Sequence, residues 1–320
     1  MLDLVYMERT GGTATATAPP PLQPISVEMC HRARAEDTFP VAWTTLDTNQ
    51  YLVKAYWPAD HPFFSPVRGG IHDPMLVAET MRQAAMAVIH AAYDVPLGHH
   101  FLVTDLDYTC HPEGLDVEAE DGLVDIRLSF SRLKLRGGRV TQLRVDTVFE
   151  RGGRPVATSG GDVRITSHPA YLRLRGDLAQ PGRHVPAEPP VDPLLVGRSR
   201  TEDVLLTPTP DGGEGEWTVR VDTRHPTLFQ RPNDHIPGML LFEAARQAAH
   251  AATTPMGFLP VHGSISFHRY AEFDSPCRLV ARVIPPLRPG TRAVASVTGH
   301  QDGEPVFQCI FLTPQRTPGA

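Results

Sequence analysis

The chain has 320 residues, 41% of them hydrophobic and 21% charged, with a formal net charge of −6. That composition belongs to a folded globular protein and excludes a disordered one, while the mild acidity lacks the basic footprint of a nucleic-acid binder or a polybasic membrane signal. No apolar run approaches the roughly 18–20 residues of a membrane span, and the N-terminus lacks the basic start and apolar core of a secretory signal, so a cytoplasmic protein is expected.

The length suits two domains of about 100–200 residues each. A small, polar, proline-rich stretch at 10–24 reads as part of a disordered or loosely packed lead-in over 1–25. The first domain is expected over 26–175. It begins with a strand at 51–57, then a loop holding His61, Gly69 and Gly70, and then a helix from about Met75 to Ala92. Strands follow at 100–108, 123–133, 139–150 and 154–166. Residues 176–193, rich in proline and glycine, read as a linker to a second domain over 194–320. There the order recurs: a strand at 216–222, a loop with His225, a helix from about Pro237 to Thr253, and strands at 261–270, 277–284, 292–300 and 305–311. One helix among antiparallel strands, written twice, predicts an α+β fold of two similar units. The four cysteines (Cys30, Cys110, Cys277, Cys309) are widely spaced and predict buried free thiols, with no disulfide framework and no structural metal site.

The repetition extends to single residues. MLVAETMRQAA at 75–85 recurs as MLLFEAARQAA at 239–249, and His61-Pro62 recurs as His225-Pro226, all at an offset of 164 residues. The turns Gly153-Arg154-Pro155-Val156 and Gly303-Glu304-Pro305-Val306 correspond at an offset of 150. On each helix Glu79, Arg82 and Gln83, or Glu243, Arg246 and Gln247, stand at i, i+3 and i+4 and share one face. Each triad is embedded in alanine, methionine and leucine. A charge in such a setting costs several kcal/mol unless it is paired. The triads therefore suit either a reactive site or a self-satisfied ion pair pinning the halves together. The two His-Pro pairs have a similar alternative, as loop histidines bonded to backbone.

The two helix starts differ. The second is preceded by Asp234-His235-Ile236-Pro237-Gly238, where Pro237 suits the first turn and Gly238 leaves the backbone open to a ligand. Free N–H groups there, helped by the helix dipole, can hold the oxygen of a polarised thioester carbonyl. The matching positions of the first copy are Asp73 and Pro74. Pro74 has no N–H, and the Asp73 carboxylate opposes an oxyanion.

The Pro-Gly helix start with Glu243 and Gln247 resembles the central helix of hotdog-fold β-hydroxyacyl-carrier-protein dehydratases. It departs from them in the position of His225 and in the added Arg246. The doubled pattern His-Pro…Asp-His-Ile-Pro-Gly-Met…Glu-x-x-Arg-Gln-Ala-Ala is more similar to the AfsA family of A-factor (γ-butyrolactone) biosynthesis proteins, over roughly residues 26–315. That resemblance implies two tandem hotdog domains packed as an intramolecular pseudo-dimer. It also implies transfer of a β-ketoacyl group from an acyl carrier protein, or from CoA, to the hydroxyl of dihydroxyacetone phosphate or a similar acceptor. The product would be a precursor of a butyrolactone, butenolide or furan signal controlling secondary metabolism. Such chemistry needs a base, an oxyanion site and a cation for the acceptor phosphate, and no cofactor or metal.

In hotdog enzymes the site forms between two domains. Carried over by position, one site joins His225 and Gly238 to Glu79 and Arg82, and the other joins His61 to Glu243 and Arg246. Glu243, Glu79, His225 and Gly238 are the candidate catalytic residues. Arg246, Arg82, Gln247, Gln83 and His61 are the candidate substrate-binding ones, with His72 and His235 further candidates. Arg132, Lys134, Arg136 and Arg139 form either a surface for an acidic carrier protein or a solvated hairpin. No nucleic-acid or membrane partner is expected, and a homo-oligomer is compatible with the sequence. Two other readings keep the fold: a thioesterase or dehydratase, and a non-catalytic protein that binds an acyl ligand.

Overall fold

The computed structural model describes residues 20–64, 70–117, 122–180, 187–210, 212–254, 258–284 and 292–314. Residues 1–19 of the expected lead-in, Gly69, and 181–186 of the expected linker lie outside the described residues. Each half curls an antiparallel sheet around one apolar helix. The first half runs β1 (Gln23–Pro24), β2 (Pro40–Asp47), β3 (Gln50–Tyr56), α1 (Met75–Ala92), β4 (His100–Cys110), β5 (Leu123–Arg136), β6 (Arg139–Arg151) and β7 (Arg154–Thr166). A short helix, α2 (His168–Arg175), leads out of it. The second half runs β8 (Leu206–Pro208), β9 (Glu216–Val219), α3 (Gly238–Thr253), β10 (His262–Phe267), β11 (Arg278–Ile284), β12 (Val294–Gln301) and β13 (Glu304–Leu312).

The strands alternate as half-buried strands should. Along β5, Val124, Ile126, Leu128 and Phe130 turn inward and are buried. The helices show no such alternation because protein surrounds them. Leu76, Val77, Ala78, Ala84, Ala87 and Ile89 on α1 are fully buried, as are Leu240, Phe242, Ala244, Ala245 and Ala248 on α3. Each large apolar side chain so buried contributes about 1.5–3 kcal/mol, and the alanines let the sheet approach the helix closely. The matching turns Gly152-Gly153 and Asp302-Gly303 both have positive φ at their two central residues, the type I′ hairpin geometry that follows strand twist.

The halves join through β4 and β10, which pair antiparallel with His262 opposite Thr109 and Ser266 opposite Asp105. The result is one thirteen-stranded sheet in the order β1-β2-β3-β5-β6-β7-β4-β10-β13-β12-β11-β9-β8. The chain is thus the expected pair of tandem hotdog units arranged as an intramolecular pseudo-dimer. β2, β8 and α2 were not evident in the sequence. α2 buries only Tyr171 and Arg175, whose polar groups are satisfied by Asp234 and Glu272 of the other half, so its local pattern carries little signal. All four cysteines are buried and unpaired.

Candidate active site

Each central helix holds its glutamate in a clamp of two arginines and a glutamine. Arg82 donates to Glu79 through Nε (3.0 Å to Oε2) and Nη2 (2.7 Å to Oε1), Gln83 Nε2 donates to Oε1 at 2.6 Å, and Arg32 donates to Oε1 as well. The second clamp repeats this: Arg246 donates to Glu243 at 2.6 and 2.7 Å, Gln247 at 2.8 Å, and Arg198 at 3.0 and 2.7 Å. Arg32 and Arg198 also tie the halves together. Arg32 Nη1 donates to the Thr227 carbonyl at 3.0 Å, and Arg198 Nη1 to the Phe63 carbonyl at 2.8 Å. Each glutamate clamp is therefore stitched to the His-Pro loop of the opposite domain.

Burial alone would raise both glutamates, but the paired guanidiniums overturn it and hold each carboxyl at about 2. Both carboxylates are buried and their oxygens fully engaged. Gln83 and Gln247 each donate a second hydrogen bond, to the Asp37 and Asp203 carbonyls at 2.8 Å, and accept from Phe39 and Leu205 N–H at 3.0 and 2.8 Å. The two histidines of the His-Pro pairs face their own loops. His61 Nδ1 accepts from the N–H groups of Phe63 and Phe64, and His225 Nδ1 from those of Thr227 and Leu228. Their Nε2 atoms face Asp37 at 3.2 Å and Asp203 at 3.5 Å.

The two clamps differ in what lies before them. At the first helix Asp73 sits at the start of α1, its Oδ1 accepting from Met75 N–H at 2.9 Å and its Oδ2 lying 3.7 Å from Arg198. Asp73 thus brings a second carboxylate to the Glu243 clamp and occupies the helix end facing it. The Arg246 side chain is 5% exposed, against 20% for Arg82. At the other position α3 begins after Pro237 with no side-chain cap. A cavity of about 770 Å³ opens there between the halves, within the range of small-molecule sites. Its wall includes Arg32 and Arg82 from the first domain and Arg231, His235, Gly238 and Met239 from the second. Apolar side chains of α1, α3 and β10, among them Met81, Met86, Ile89, Leu241 and Phe267, line the remainder. Of the sequence candidates, Arg82, Gly238 and His235 reach this wall. Glu79, Glu243, Arg246, Gln83, Gln247, His61 and His225 do not border it.

His235 does border it. Its Nδ1 lies 2.7 Å from Asp234 Oδ1, so the ring donates there and, when neutral, keeps a lone pair on Nε2. Asp234 is itself anchored. Tyr171 donates to both its oxygens at 2.7 and 2.9 Å, and Arg175 Nε to Oδ2 at 2.9 Å, both residues coming from α2. Burial would raise Asp234, yet its donors His235, Tyr171 and Arg175 hold it below the usual carboxylate range. Helix α2 therefore fixes an Asp–His pair at the cavity.

Arg32 and Arg198 were missed in the sequence because they precede the repeat at a different offset. Arg32-Ala33-Arg34-Ala35-Glu36-Asp37 matches Arg198-Ser199-Arg200-Thr201-Glu202-Asp203 at 166 residues. The doubled Arg-x-Arg-x-Glu-Asp was the signal available. The two-residue shift between this pattern and the helices hid it.

The closed clamp predicts a structural effect. Glu243→Gln strands two buried guanidiniums and is expected to cost roughly 3–5 kcal/mol at pH 7. Because the folded pKa lies below the unfolded value, the stabilisation from Glu79 and Glu243 is complete above about pH 4.5 and is lost as pH falls towards 2. Urea unfolding from pH 7 to 3 should show a steeper acid loss in the parent than in Glu243→Gln. Equal slopes would refute the assignment.

Comparison with known proteins shows the family to which the chain belongs. The family model of the A-factor biosynthesis hotdog domain (AfsA) matches residues 13–167 and again 179–313. The chain is 50% identical over 294 residues to the 2-oxo-3-(phosphooxy)propyl 3-oxoalkanoate synthase of Streptomyces griseus, covering 92% of this chain and 97% of that one. It is 39% identical over 286 residues to the synthase of the same name from Streptomyces virginiae, covering 89% of this chain and 96% of the other. Among solved structures, a Lactobacillus plantarum protein described as an oleoyl thioesterase superposes with a TM-score of 0.52 at 12% identity, covering 85% of this chain and 98% of that one. That is a likeness of fold alone.

Proposed function

From the membership of this chain in the A-factor biosynthesis hotdog family, we propose that it transfers a β-ketoacyl group from a thioester to the hydroxyl of dihydroxyacetone phosphate or a close analogue, and that it does so in the Glu79-side cavity. The observation that carries the choice of site is the asymmetry. The cavity joins Arg32 and Arg82 to the uncapped start of α3, whereas at the equivalent position Asp73 occupies the helix end.

In this reading the acyl chain lies along the apolar wall, and its thioester oxygen meets the N–H groups of Gly238 and Met239. The acceptor phosphate lies towards the arginines. His235 Nε2 takes the hydroxyl proton as that oxygen bonds to the thioester carbon. The C–S bond then breaks, and the same proton passes from His235 to the departing thiolate. Glu79 serves by holding Arg32 and Arg82 in place, and His225 by shaping the loop that carries Arg231 and His235. The thioester carrier is an acyl carrier protein or CoA, and the end of the pathway is a γ-butyrolactone-type signalling molecule.

The test is acceptor-dependent thiol release. The purified chain, given a β-ketoacyl thioester and dihydroxyacetone phosphate, is expected to release thiol and form a phosphorylated ester detectable by mass spectrometry. Thiol release that ignores the acceptor would point to hydrolysis and overturn the transfer reading.

A further inference from the structure

His31 adopts φ of +54°, a left-handed conformation that a side chain normally disfavours. It directly precedes Arg32. The residue directly before Arg198 is Gly197, with φ of +68°. The same backbone turn is thus made by glycine in the closed clamp and by histidine in the open one. A histidine kept where glycine fits best implies that its side chain has work to do.

That side chain sits in a directed chain of hydrogen bonds. Arg231 Nη2 lies 2.6 Å from His31 Nδ1, His31 Nε2 lies 2.9 Å from His90 Nε2, and His90 Nδ1 lies 2.6 Å from the Val95 carbonyl. The two ends set the direction. Arginine only donates and a carbonyl only accepts, so His90 Nδ1 gives its proton to Val95, His31 Nε2 gives its proton to His90, and His31 Nδ1 accepts from Arg231. Both rings are neutral in this arrangement. Burial first, then the nearby Arg231, pushes His31 down to about 2, which keeps it so.

The chain is built once. At the helix offset of 164 residues, Arg231 corresponds to Val67 and His90 to Thr254 in sequence. All three members therefore occur together only beside the open cavity. Arg231 lines that cavity with Arg32 and Arg82, and it forms no ion pair among the described residues. Glu79 neutralises one charge of the other two. Arg231 is held instead by an uncharged partner, so its positive charge stays available to a ligand.

We infer that Arg231 is the residue that selects a phosphorylated acceptor, and that His31 and His90 are positioning residues that aim its guanidinium into the cavity. This rests on the reading of the cavity as the site of acyl transfer to a phosphorylated alcohol. The second phosphate charge is met by an arginine whose direction is fixed in advance by a neutral chain, so little ordering remains on binding.

The experiment compares dihydroxyacetone phosphate with dihydroxyacetone as acceptors for the full chain, and measures dihydroxyacetone phosphate binding by calorimetry without the thioester. Loss of a charge-assisted hydrogen bond corresponds to about a ten- to hundredfold change in binding. Arg231→Gln should raise KM for the phosphorylated acceptor by that factor and leave KM for the unphosphorylated one unchanged. His31→Gly should shift selectivity the same way with an unfolding midpoint close to the parent's, because glycine suits this φ. His31→Asn, which tolerates the conformation and offers an acceptor to Arg231, should restore part of the selectivity. Unchanged selectivity in both Arg231→Gln and His31→Gly would overturn the inference, as would equal losses on both acceptors. If the parent binds the phosphate through Arg231 but shows no transfer, the anion clamp stands and the acyltransfer reading falls.

Discussion

Replacing His235 by glutamine is expected to lower kcat by about 100- to 10,000-fold, the range for loss of a general base. Glutamine preserves size and a hydrogen bond to Asp234 but cannot accept and return a proton. The His235 side chain is 25% exposed, so folding should be little affected. KM for both substrates should stay near the parent value, because the imidazole acts on the proton in flight and not on the bound groups. Asp234→Asn should give a smaller loss, since the ring keeps its place but loses the carboxylate that fixes its tautomer. Full turnover in His235→Gln would sink the assignment and return attention to the buried glutamates. Those are poor general bases, because each carboxylate accepts from two arginines and a glutamine and does not line the interdomain cavity.

The second large effect concerns the start of α3. Gly238→Pro removes one backbone donor without offending the helix, because proline is tolerated in the first turn and Pro74 occupies the equivalent place before α1. Pro237 before it has ψ of 140°, the value a following proline prefers. A Cβ at 238 meets the tip of the Phe267 ring at 2.9 Å, a contact the ring can relieve by a small shift. Gly238→Ala supplies that Cβ and keeps the N–H, so it isolates the donor. Loss of an oxyanion donor is worth about 100- to 1,000-fold in kcat, and Gly238→Pro should fall below Gly238→Ala by that factor. Equal kcat in the two variants would remove Gly238 N–H from the mechanism.

These two residues were visible in the sequence to different degrees. Gly238 stood out because its counterpart is Pro74, a contrast that needs only an alignment of the chain with itself. His235 was one candidate among several, since the residues that anchor its partner Asp234, Tyr171 and Arg175, lie about 60 residues away on a helix whose pattern is weak. The buried triads were legible as shared helix faces because i, i+3 and i+4 spacing is a property of one helix. Their chemical state was not. Whether Glu79 is a free base or a saturated carboxylate depends on Arg32, which enters from a turn 47 residues earlier.

The sequence by itself determined the duplication, the two central helices, most of the strands and the inequality of the two helix starts. Each of these is written in local spacing or in the comparison of one half with the other. Only the tertiary structure decided which position is open, because that depends on β4 meeting β10 and carrying each domain's loop across to the other's helix. The physical reason is the cost of burying charge. A buried guanidinium or carboxylate must find partners wherever the fold brings them, and those partners come from turns and from the opposite domain, at separations that no local period records.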